Sequence, residues 1–318
     1  MKNIYSNLYK PNLVNLKKAK KNIKNNNVIG LPTETVYGLA GNAYSNKAVK
    51  KIYKLKKRPL FNPLIIHFKN LKDIKKDVIL TNDFKKLYKV FCPGPITFIL
   101  KVKKSSKISK IALSGKKTVA VRIPKHKAAK ALLNILQVPL AAPSANISSK
   151  LSPTSAMDVF DEFGKKIKFI LDGGKSQIGI ESTILDLTEN PTILRPGIIT
   201  KEKIEKILKK KVKIKKKYKS IKSPGQLKLH YYPGIPVRMN RFTVKKKQAL
   251  IGFGKKFHQA KNRFNLSKKG DLNEVANKLY TTMRKIKKNK FKSIYITKIP
   301  NIGVGHAIND RLKKASNK

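Results

Sequence analysis

Strand-like apolar segments alternate with helix-like amphipathic segments along most of this 318-residue chain. Hydrophobic periodicity predicts helices over residues 12–27, 46–58, 81–91, 126–136, 155–164, 200–210, 271–288 and 305–316. It predicts strands over residues 28–34, 63–68, 96–102, 118–124, 139–145, 168–174, 182–188, 191–197, 247–254 and 291–297. Such alternation is typical of the α/β class, in which helices cover a sheet.

A change of composition divides the chain in two. Residues 212–238 join a lysine run to a stretch with prolines and glycines, which is the composition of a linker. We therefore predict a first domain over 1–211, this linker, which would cover the active site, and a small α/β domain over 239–318.

The formal charge of +58 has two interpretations that stay open. It is either a compositional bias that coats the surface with lysine or an attraction to RNA. Arginine is rare in this chain, although its planar fork binds phosphate and carboxylate in ways that lysine does not. The positions that keep arginine are therefore candidates for function, above all Arg58, Arg122 and Arg195 in lysine-poor segments.

Several classes of function are disfavoured. The single cysteine, Cys92, excludes an internal disulfide and a cysteine-cluster metal site. The five histidines lack metal-ligand spacing, so we predict no protein-held metal. Phe169 stands where a P-loop ending at residues 173–176 would need glycine. No apolar run approaches the ~18 residues of a membrane span, and the first residues lack a signal-peptide pattern, which predicts a cytoplasmic protein without a membrane partner.

Lysine-poor segments of small and polar residues interrupt the chain, often directly after a predicted strand. They span residues 31–41, 93–97, 139–149, 172–174 with 179–183, and 194–197. Each alone is typical of an ordinary turn. Since ligands of open α/β sheets bind beyond the strand ends, the set together predicts one pocket.

Three groups of residues could supply charge and polarity to this pocket. Pro59 favours an extended Arg58, which would place Lys56 and Arg58 on one side with Asn62 nearby. An arginine at 122, on a predicted sheet face, needs a carboxylate partner, either a local acid or a ligand. An extended segment over 33–37 would present Thr33, Thr35 and Tyr37 together.

The motifs resemble, in order and spacing, the YrdC-like family of L-threonylcarbamoyl-AMP synthases in its long, two-domain form. They are LPTETVYGLAGNA, KKRPLFNPLIIH, PGPITFILK, VAVRIPKH, PLAAPSANISSKLSPT, ILDGG, GIESTILDL and ILRPGIIT, followed by SPGQLKLHYYP. The resemblance implies a twisted open sheet with helices around a deep concave pocket, plus a smaller Rossmann-like domain.

The resemblance also implies the reaction and its participants. ATP, L-threonine and bicarbonate would give threonylcarbamoyl-AMP and pyrophosphate, with Mg²⁺ accompanying the nucleotide. Other enzymes would then transfer the threonylcarbamoyl group to tRNA, beside the anticodon. Phosphoryl chemistry of this kind requires oriented cations more than a nucleophilic side chain.

Roles follow from the resemblance residue by residue. Catalytic roles fall to Lys56, Arg58 and Arg195. ATP contacts are assigned to Arg58, Asn62, Thr118, Ser144, Asn146, Ser152, Arg195, Lys228, His230 and Tyr231. L-threonine contacts are assigned to Thr35, His67, Arg122, Ala142 and Ser182.

The linker motif is expected to close over the nucleotide and exclude water. Lys228 stands where the family often has an aromatic residue, so a stacking role at that position is not expected. The alternative function is a non-catalytic, basic RNA-binding protein of the same fold, and weak tRNA binding is compatible with the enzyme as well. RNA binding that depends on charge would be sensitive to salt and would survive Arg58→Ala and Arg195→Ala.

Overall fold

The computed structural model describes residues 6–215, 221–227 and 229–317. Within these ranges the larger sheet has eleven strands. They are β1 (Leu8–Tyr9), β2 (Ile29–Leu31), β3 (Gly38–Asn42), β4 (Ile65–His67), β5 (Ile96–Lys101), β6 (Thr118–Arg122), β7 (Leu140–Ala141), β8 (Ile170–Leu171), β9 (Thr183–Asp186), β10 (Thr192–Arg195) and β11 (Lys213–Ile214). Their spatial order is β1-β8-β2-β3-β7-β4-β6-β5-β9-β10-β11, with parallel and antiparallel pairs mixed.

Helices pack around this sheet. They are α1 (Leu13–Lys24), α2 (Asn46–Lys56), α3 (Leu71–Asp77), α4 (Asn82–Phe91), α5 (Lys127–Ile135), α6 (Ala156–Phe163) and α7 (Lys201–Leu208), with one 3-10 turn at Gly164–Lys166. Most begin at a polar side chain that accepts a hydrogen bond from the first turn, as Ser45 does for α2 and Thr81 for α4. Ser155 and Asp158 form a capping box at the start of α6.

The second unit has a four-stranded, all-parallel sheet with the order β12-β15-β13-β14. Its strands are β12 (Val237–Met239), β13 (Gln248–Gly252), β14 (Arg263–Asn265) and β15 (Ser293–Ile296), and its helices are α8 (Leu272–Lys288) and α9 (Gly305–Ala315). The predicted two-unit α/β fold is therefore confirmed. Among the described helices, none is long and apolar enough to cross a bilayer.

The two units share an apolar interface. The hydrophobic cluster of the second unit includes Val36, Leu151 and Ile180 from the first unit and Tyr231 from the linker. Burying such side chains together stabilises the contact between the units, by about 25 cal/mol per Å² of apolar surface removed from water. The interface lies beside the loops that the sequence assigns to the pocket.

Helix α3 and five strands, β1, β3, β11, β12 and β14, were not predicted from the sequence. Strand β3 has the loop-like sequence GLAGN, yet it is almost fully buried and pairs with β2 and β7. Its Gly41 lies against α2, where an added Cβ would come within 3.3 Å of Ile52 Cδ1. Strands β11 and β12 lie within or beside the predicted linker, so the connection between the two sheets is shorter than residues 212–238.

Candidate functional site

One cavity lies where loops of the larger sheet meet the linker. Its volume is about 30 Å³, enough for roughly two water molecules. The predicted site residues that line it are Arg58, His67, Arg122, Ala142, Ser144, Arg195, His230 and Tyr231. The structure thus brings together, around one space, residues that lie far apart in the sequence.

Arg58 enters the cavity from the end of α2. The helix stops at Lys56 because Lys57 is in the left-handed region, with φ +49°. Arg58 Nε donates to the carbonyl oxygen of Asn62 at 2.9 Å, and one terminal nitrogen donates to the Asn62 side-chain oxygen and to the carbonyl oxygen of Pro63. Lys56 and Arg58 are therefore separated by a tight turn, not placed side by side on the expected extended segment.

Lys56 lies behind the cavity and supports a loop. Its ammonium donates to the carbonyl oxygens of Ser144 and Asn146, each at 2.5 Å. Burial, with a smaller effect from Arg58, lowers the pKa of Lys56 well below its usual value. The loop is closed further by Asn146, whose side-chain amide donates to the carbonyl oxygens of Ile147 and Lys150. Lys56 is thus placed to hold Ser144 at the cavity.

Arg195 enters from the end of β10 and is almost fully buried. Its Nε and one terminal nitrogen donate to the carbonyl oxygen and the hydroxyl of Ser182, each at 3.1 Å. Ser182, predicted as a threonine contact, also shares a hydrogen bond with Thr97. Burial lowers the pKa of Arg195, and burial lowers the pKa of Arg58 to about 10. Two guanidinium groups therefore share the cavity with neutral hydrogen-bond acceptors.

A different arrangement is found around Arg122. Strands β4 and β6 are parallel and in register, which places His67 beside Arg122. A terminal nitrogen of Arg122 donates to Glu34 Oε1 at 2.7 Å, and Glu34 also accepts from the backbone nitrogen of Lys125. A local acid is thus the carboxylate partner that the sequence required. Arg122 Nε and His67 Nδ1 are buried without a hydrogen-bond partner among the described residues.

The imidazole of His67 is uncharged at neutral pH. Burial, followed by the charge of Arg122, lowers the pKa of His67 to about 3. A neutral imidazole beside an arginine offers one donor and one acceptor without adding positive charge.

The lysine-free segment around Thr35 is a connection between two antiparallel strands, β2 and β3. It is therefore not the extended segment that we expected. Thr35 is fully buried, and its hydroxyl shares a hydrogen bond with Thr33 at 2.9 Å, while Thr33 lines the cavity. Tyr37 donates to the carbonyl oxygen of Gly174. Here Thr35 stands behind Thr33, and its predicted contact with L-threonine stays a prediction.

The remaining predicted residues lie outside the cavity lining. Asn62 receives the Arg58 hydrogen bonds, and Ser152 donates to Glu181 Oε1 at 2.5 Å. Thr118 lies at a separate, lysine-lined depression with Lys101 and residues of the connection between β5 and β6. Lys228 lies outside the described residues.

The linker covers the cavity. Pro224, His230 and Tyr231 line it, and an added Cβ on Gly225 would come within 2.8 Å of Arg195 Cδ. Lys314 of α9 donates to the carbonyl oxygen of Gly225 at 2.7 Å and accepts at its own carbonyl from the backbone nitrogen of His230. The cavity is thus far smaller than the roughly 300–1,000 Å³ of typical small-molecule pockets.

Sequence reasoning missed four residues around the site. Glu181 lines the cavity, and Glu34 pairs with Arg122. From the second unit, Arg311 donates to Glu181, and Arg284 donates to the carbonyl oxygens of Leu151 and Ser152. The scarcity of arginine was a signal for Arg284 and Arg311.

A buried cavity in which Arg58 and Arg195 have no direct ion pair among the described residues, set in loops at the ends of α/β strands, is typical of a class of protein that binds an anionic ligand such as a nucleotide. Two family models divide the chain between them. Residues 21–197 match the Sua5/YciO/YrdC model, described as telomere recombination, and residues 199–317 match the model described as threonylcarbamoyl-AMP synthase, C-terminal domain. The chain belongs to this family of two-domain threonylcarbamoyl-AMP synthases.

Individual relatives extend over nearly the whole chain. It is 38% identical to the threonylcarbamoyl-AMP synthase of Pyrococcus abyssi, with 92% of each chain covered. It is 37% identical to that of Bacillus subtilis, with 92% of this chain and 90% of the relative covered. The crystal structure of P. abyssi Sua5 complexed with L-threonine superposes with a TM-score of 0.87 and 34% identity, covering 95% of this chain and 94% of the other. The match therefore includes both units.

Proposed function

We propose that this chain forms threonylcarbamoyl-AMP and pyrophosphate from L-threonine, bicarbonate and ATP. The observation that carries the proposal is the pair of buried arginines, Arg58 and Arg195, which hydrogen-bond to neutral oxygens among the described residues. The carboxylate that lines the same cavity, Glu181, is ion-paired with Arg311, so positive charge remains in excess. A buried excess of charge is costly unless a ligand offsets it. A nucleotide triphosphate supplies the offsetting negative charge.

The reaction divides into two steps. The threonine amine first adds to bicarbonate, with loss of water, to give a carbamate. A carbamate oxygen then attacks the α-phosphorus of ATP, the bond to the bridging oxygen breaks, and pyrophosphate leaves. Negative charge builds on phosphoryl oxygens in the second step, and Arg58 and Arg195 are placed to stabilise it in a site that excludes water.

The opposite end of the cavity suits the amino acid. We assign the threonine carboxylate to Arg122, whose Nε has no partner among the described residues, with His67 beside it. The neutral imidazole favours this assignment because it leaves the arginine as the principal positive charge. Thr35, Ala142 and Ser182 complete the proposed threonine contacts.

Asn62, Thr118, Ser144, Asn146 and Ser152 complete the nucleotide contacts that we propose in the first unit. Within the described part of the chain, no group of three His, Cys, Asp or Glu side chains could hold a metal ion. Mg²⁺ would therefore come to the site bound to the phosphates of its nucleotide, as this ion commonly does.

The linker gives this site a means of protecting its product. An acyl-adenylate reacts readily with water, and a closed linker over the cavity limits that loss. His230 and Tyr231 lie nearest to the nucleotide end, and we extend the assignment to Lys228. Cytoplasmic enzymes that transfer the threonylcarbamoyl group to tRNA would consume the product, and the lysine-rich surface would attract tRNA weakly.

The test follows pyrophosphate and adenylate in mixtures of purified protein, ATP, Mg²⁺, bicarbonate and labelled amino acids. We expect pyrophosphate release that requires both L-threonine and bicarbonate, with label appearing in an adenylate. Omission of bicarbonate and replacement of threonine by valine are the matched controls. Pyrophosphate release that ignores the amino acid, or no release at all, would contradict the proposal. Salt-sensitive RNA binding unaffected by Arg58→Ala and Arg195→Ala, without any release, would favour the RNA-binding alternative.

A further inference from the structure

Arg311, on helix α9 of the second unit, is buried at the interface with the first unit. Only 1% of its side chain is exposed. Its Nε donates to Glu181 Oε2 at 3.1 Å, and its Nη1 donates to the carbonyl oxygen of Pro196 at 2.6 Å. One guanidinium therefore joins two separate loops of the other unit.

These two loops carry the two partners at the phosphate end of the cavity. Glu181 precedes Ser182, and Pro196 follows Arg195. Ser182 accepts both hydrogen bonds that orient the Arg195 guanidinium. Arg311 thus holds Glu181 and Pro196, which are the residues next to Ser182 and Arg195 in the chain. A small displacement of either loop would change the orientation of Arg195.

Glu181 gathers further contacts on the same carboxylate. Ser152 donates to it at 2.5 Å from the first unit, and Tyr280 donates at 3.1 Å from the second. Although burial alone would raise the pKa of Glu181, the charges of Arg311 and Arg195 lower it to about 2. The carboxylate is therefore ionised at neutral pH, and Arg311 is its ion-pair partner.

The linker meets the same cluster. The Arg311 guanidinium lies 5.4 Å from the ring centroid of Tyr231, and the Tyr231 ring stacks on Tyr280. A cation above an aromatic face attracts it, more so when both are removed from water. The contacts of Arg311 therefore include both the loops below the cavity and the linker above it.

We propose that Arg311 is a positioning residue of the synthase: through Glu181 and Pro196 it holds Arg195 in the orientation that binds the nucleotide phosphates. The second unit would then contribute to catalysis through geometry, without touching the substrate. This inference rests on the proposed function for the assignment of Arg195 to ATP.

A purely structural role makes a different prediction. Other ion pairs also join the two units, such as Lys288 with Asp161, but those side chains are 66% and 39% exposed. An ion pair that only attaches the second unit would affect stability, or both ends of the cavity together. A positioning residue at the phosphate end affects ATP more than L-threonine.

The test compares ATP and L-threonine binding to the full chain by titration calorimetry, together with steady-state kinetics. Arg311→Met leaves Glu181 buried and unpaired, which endangers folding. We therefore add Arg311→Lys and the double variant Glu181→Gln/Arg311→Met, which removes both charges of the pair, while Asp310 keeps its ion pair with Lys314. Arg263→Met is the matched control, because Arg263 stacks on Phe257 within the second unit.

We expect the double variant to bind ATP about tenfold more weakly, since a change of about 1.4 kcal/mol corresponds to that factor. Its L-threonine affinity should fall clearly less than its ATP affinity, because Ser182 is the one proposed threonine contact next to the residues that Arg311 holds. Retained L-threonine binding also shows that the cavity is folded. Arg311→Lys should recover part of the ATP affinity. Equal losses for the two ligands, or unchanged ATP binding, would overturn the proposal. Because binding is measured directly, absence of pyrophosphate release in the wild type would count against the proposed function alone.

Discussion

The positive charge of the arginines is balanced differently at the two ends of the cavity. At one end Arg122 has a carboxylate of its own, Glu34, at 2.7 Å. At the other end the guanidinium groups of Arg58 and Arg195 donate to carbonyl, amide and hydroxyl oxygens. The first end has its charge largely balanced before a ligand arrives. The second end has one carboxylate, Glu181, which is ion-paired with Arg311, so an excess of positive charge remains there.

This difference matches the charge of the proposed ligands. A zwitterionic amino acid brings one carboxylate and one amine, so a half-neutralised arginine suits it. A triphosphate brings several negative charges, which two arginines without ion-pair partners of their own can bind. The protein accepts a stability cost at the phosphate end because desolvated guanidinium groups are poorly compensated there until the nucleotide binds.

The largest expected effect separates the two ends directly. Arg58→Ala and Arg195→Ala should each lower kcat/KM for ATP by roughly 10²–10³, because each removes a charge that stabilises the phosphoryl oxygens. Arg122→Ala should instead raise the KM for L-threonine. Steady-state kinetics with each substrate varied in turn measure both, with Arg263→Ala as a control outside the cavity. Equal effects on both substrates in all three variants would remove the distinction between the ends.

A second variant should make the amino-acid end resemble the phosphate end. Glu34→Gln removes the counter-charge of Arg122, and loss of one partner of a buried pair costs about 3 kcal/mol or more. Arg122 then depends on the carboxylate of L-threonine, so the ligand should raise Tm more in the variant than in wild type. Thermal melts with and without L-threonine measure this. A smaller ligand-induced shift in the variant would mean that Glu34 itself takes part in binding.

The two ends of the cavity each have a buried histidine, and the pKa values of these histidines can be compared. His67 faces Arg122, whereas His230 faces Glu181 together with Arg58, Lys56 and Arg195. Burial is the main cause at both sites, and it lowers each pKa to about 3 from 6.5. As the pH falls, these two histidines are therefore protonated in the unfolded chain before they are protonated in the folded protein. The stability present above pH 6.5 is lost as the pH falls toward 3.

Between pH 6.5 and 5 each of these histidines should cost about 2 kcal/mol of the free energy of unfolding. Denaturant titrations at the two pH values measure this loss in wild type, His67→Asn and His230→Asn. Each variant should lose less stability on acidification than wild type. An unchanged pH dependence in both variants would show that other groups cause the acid sensitivity.

The smallest expected effect concerns the linker, which covers the phosphate end. Lys314→Met removes the hydrogen bond to the Gly225 carbonyl oxygen. Hydrogen exchange of backbone amides in residues 221–232 should then accelerate by about tenfold, the equivalent of one charge-assisted hydrogen bond of about 1.4 kcal/mol. Exchange around His67 should stay as in wild type, and Lys288→Met is the control for an exposed contact between the units. Uniform acceleration across the chain would indicate global loosening.

Much of the fold could be predicted because its signals are local. Hydrophobic periodicity placed helices such as α2 and α8, and strands such as β5 and β6, within a few residues of their observed ends. Strand β3 escaped because its glycines resemble a loop, and only pairing with β2 and β7 makes it a strand. The turn at Lys57 also changed the expected relation between Lys56 and Arg58.

By itself, the sequence determined the α/β class, several of the loops that line the cavity and three of its arginines, Arg58, Arg122 and Arg195, because periodicity and composition are local properties. Tertiary structure decided which carboxylate meets which arginine. Glu34 lies 88 residues from Arg122, and Glu181 lies 130 residues from Arg311. No local pattern records such pairs, since they arise only when the sheet and the packing of the two units bring distant loops together.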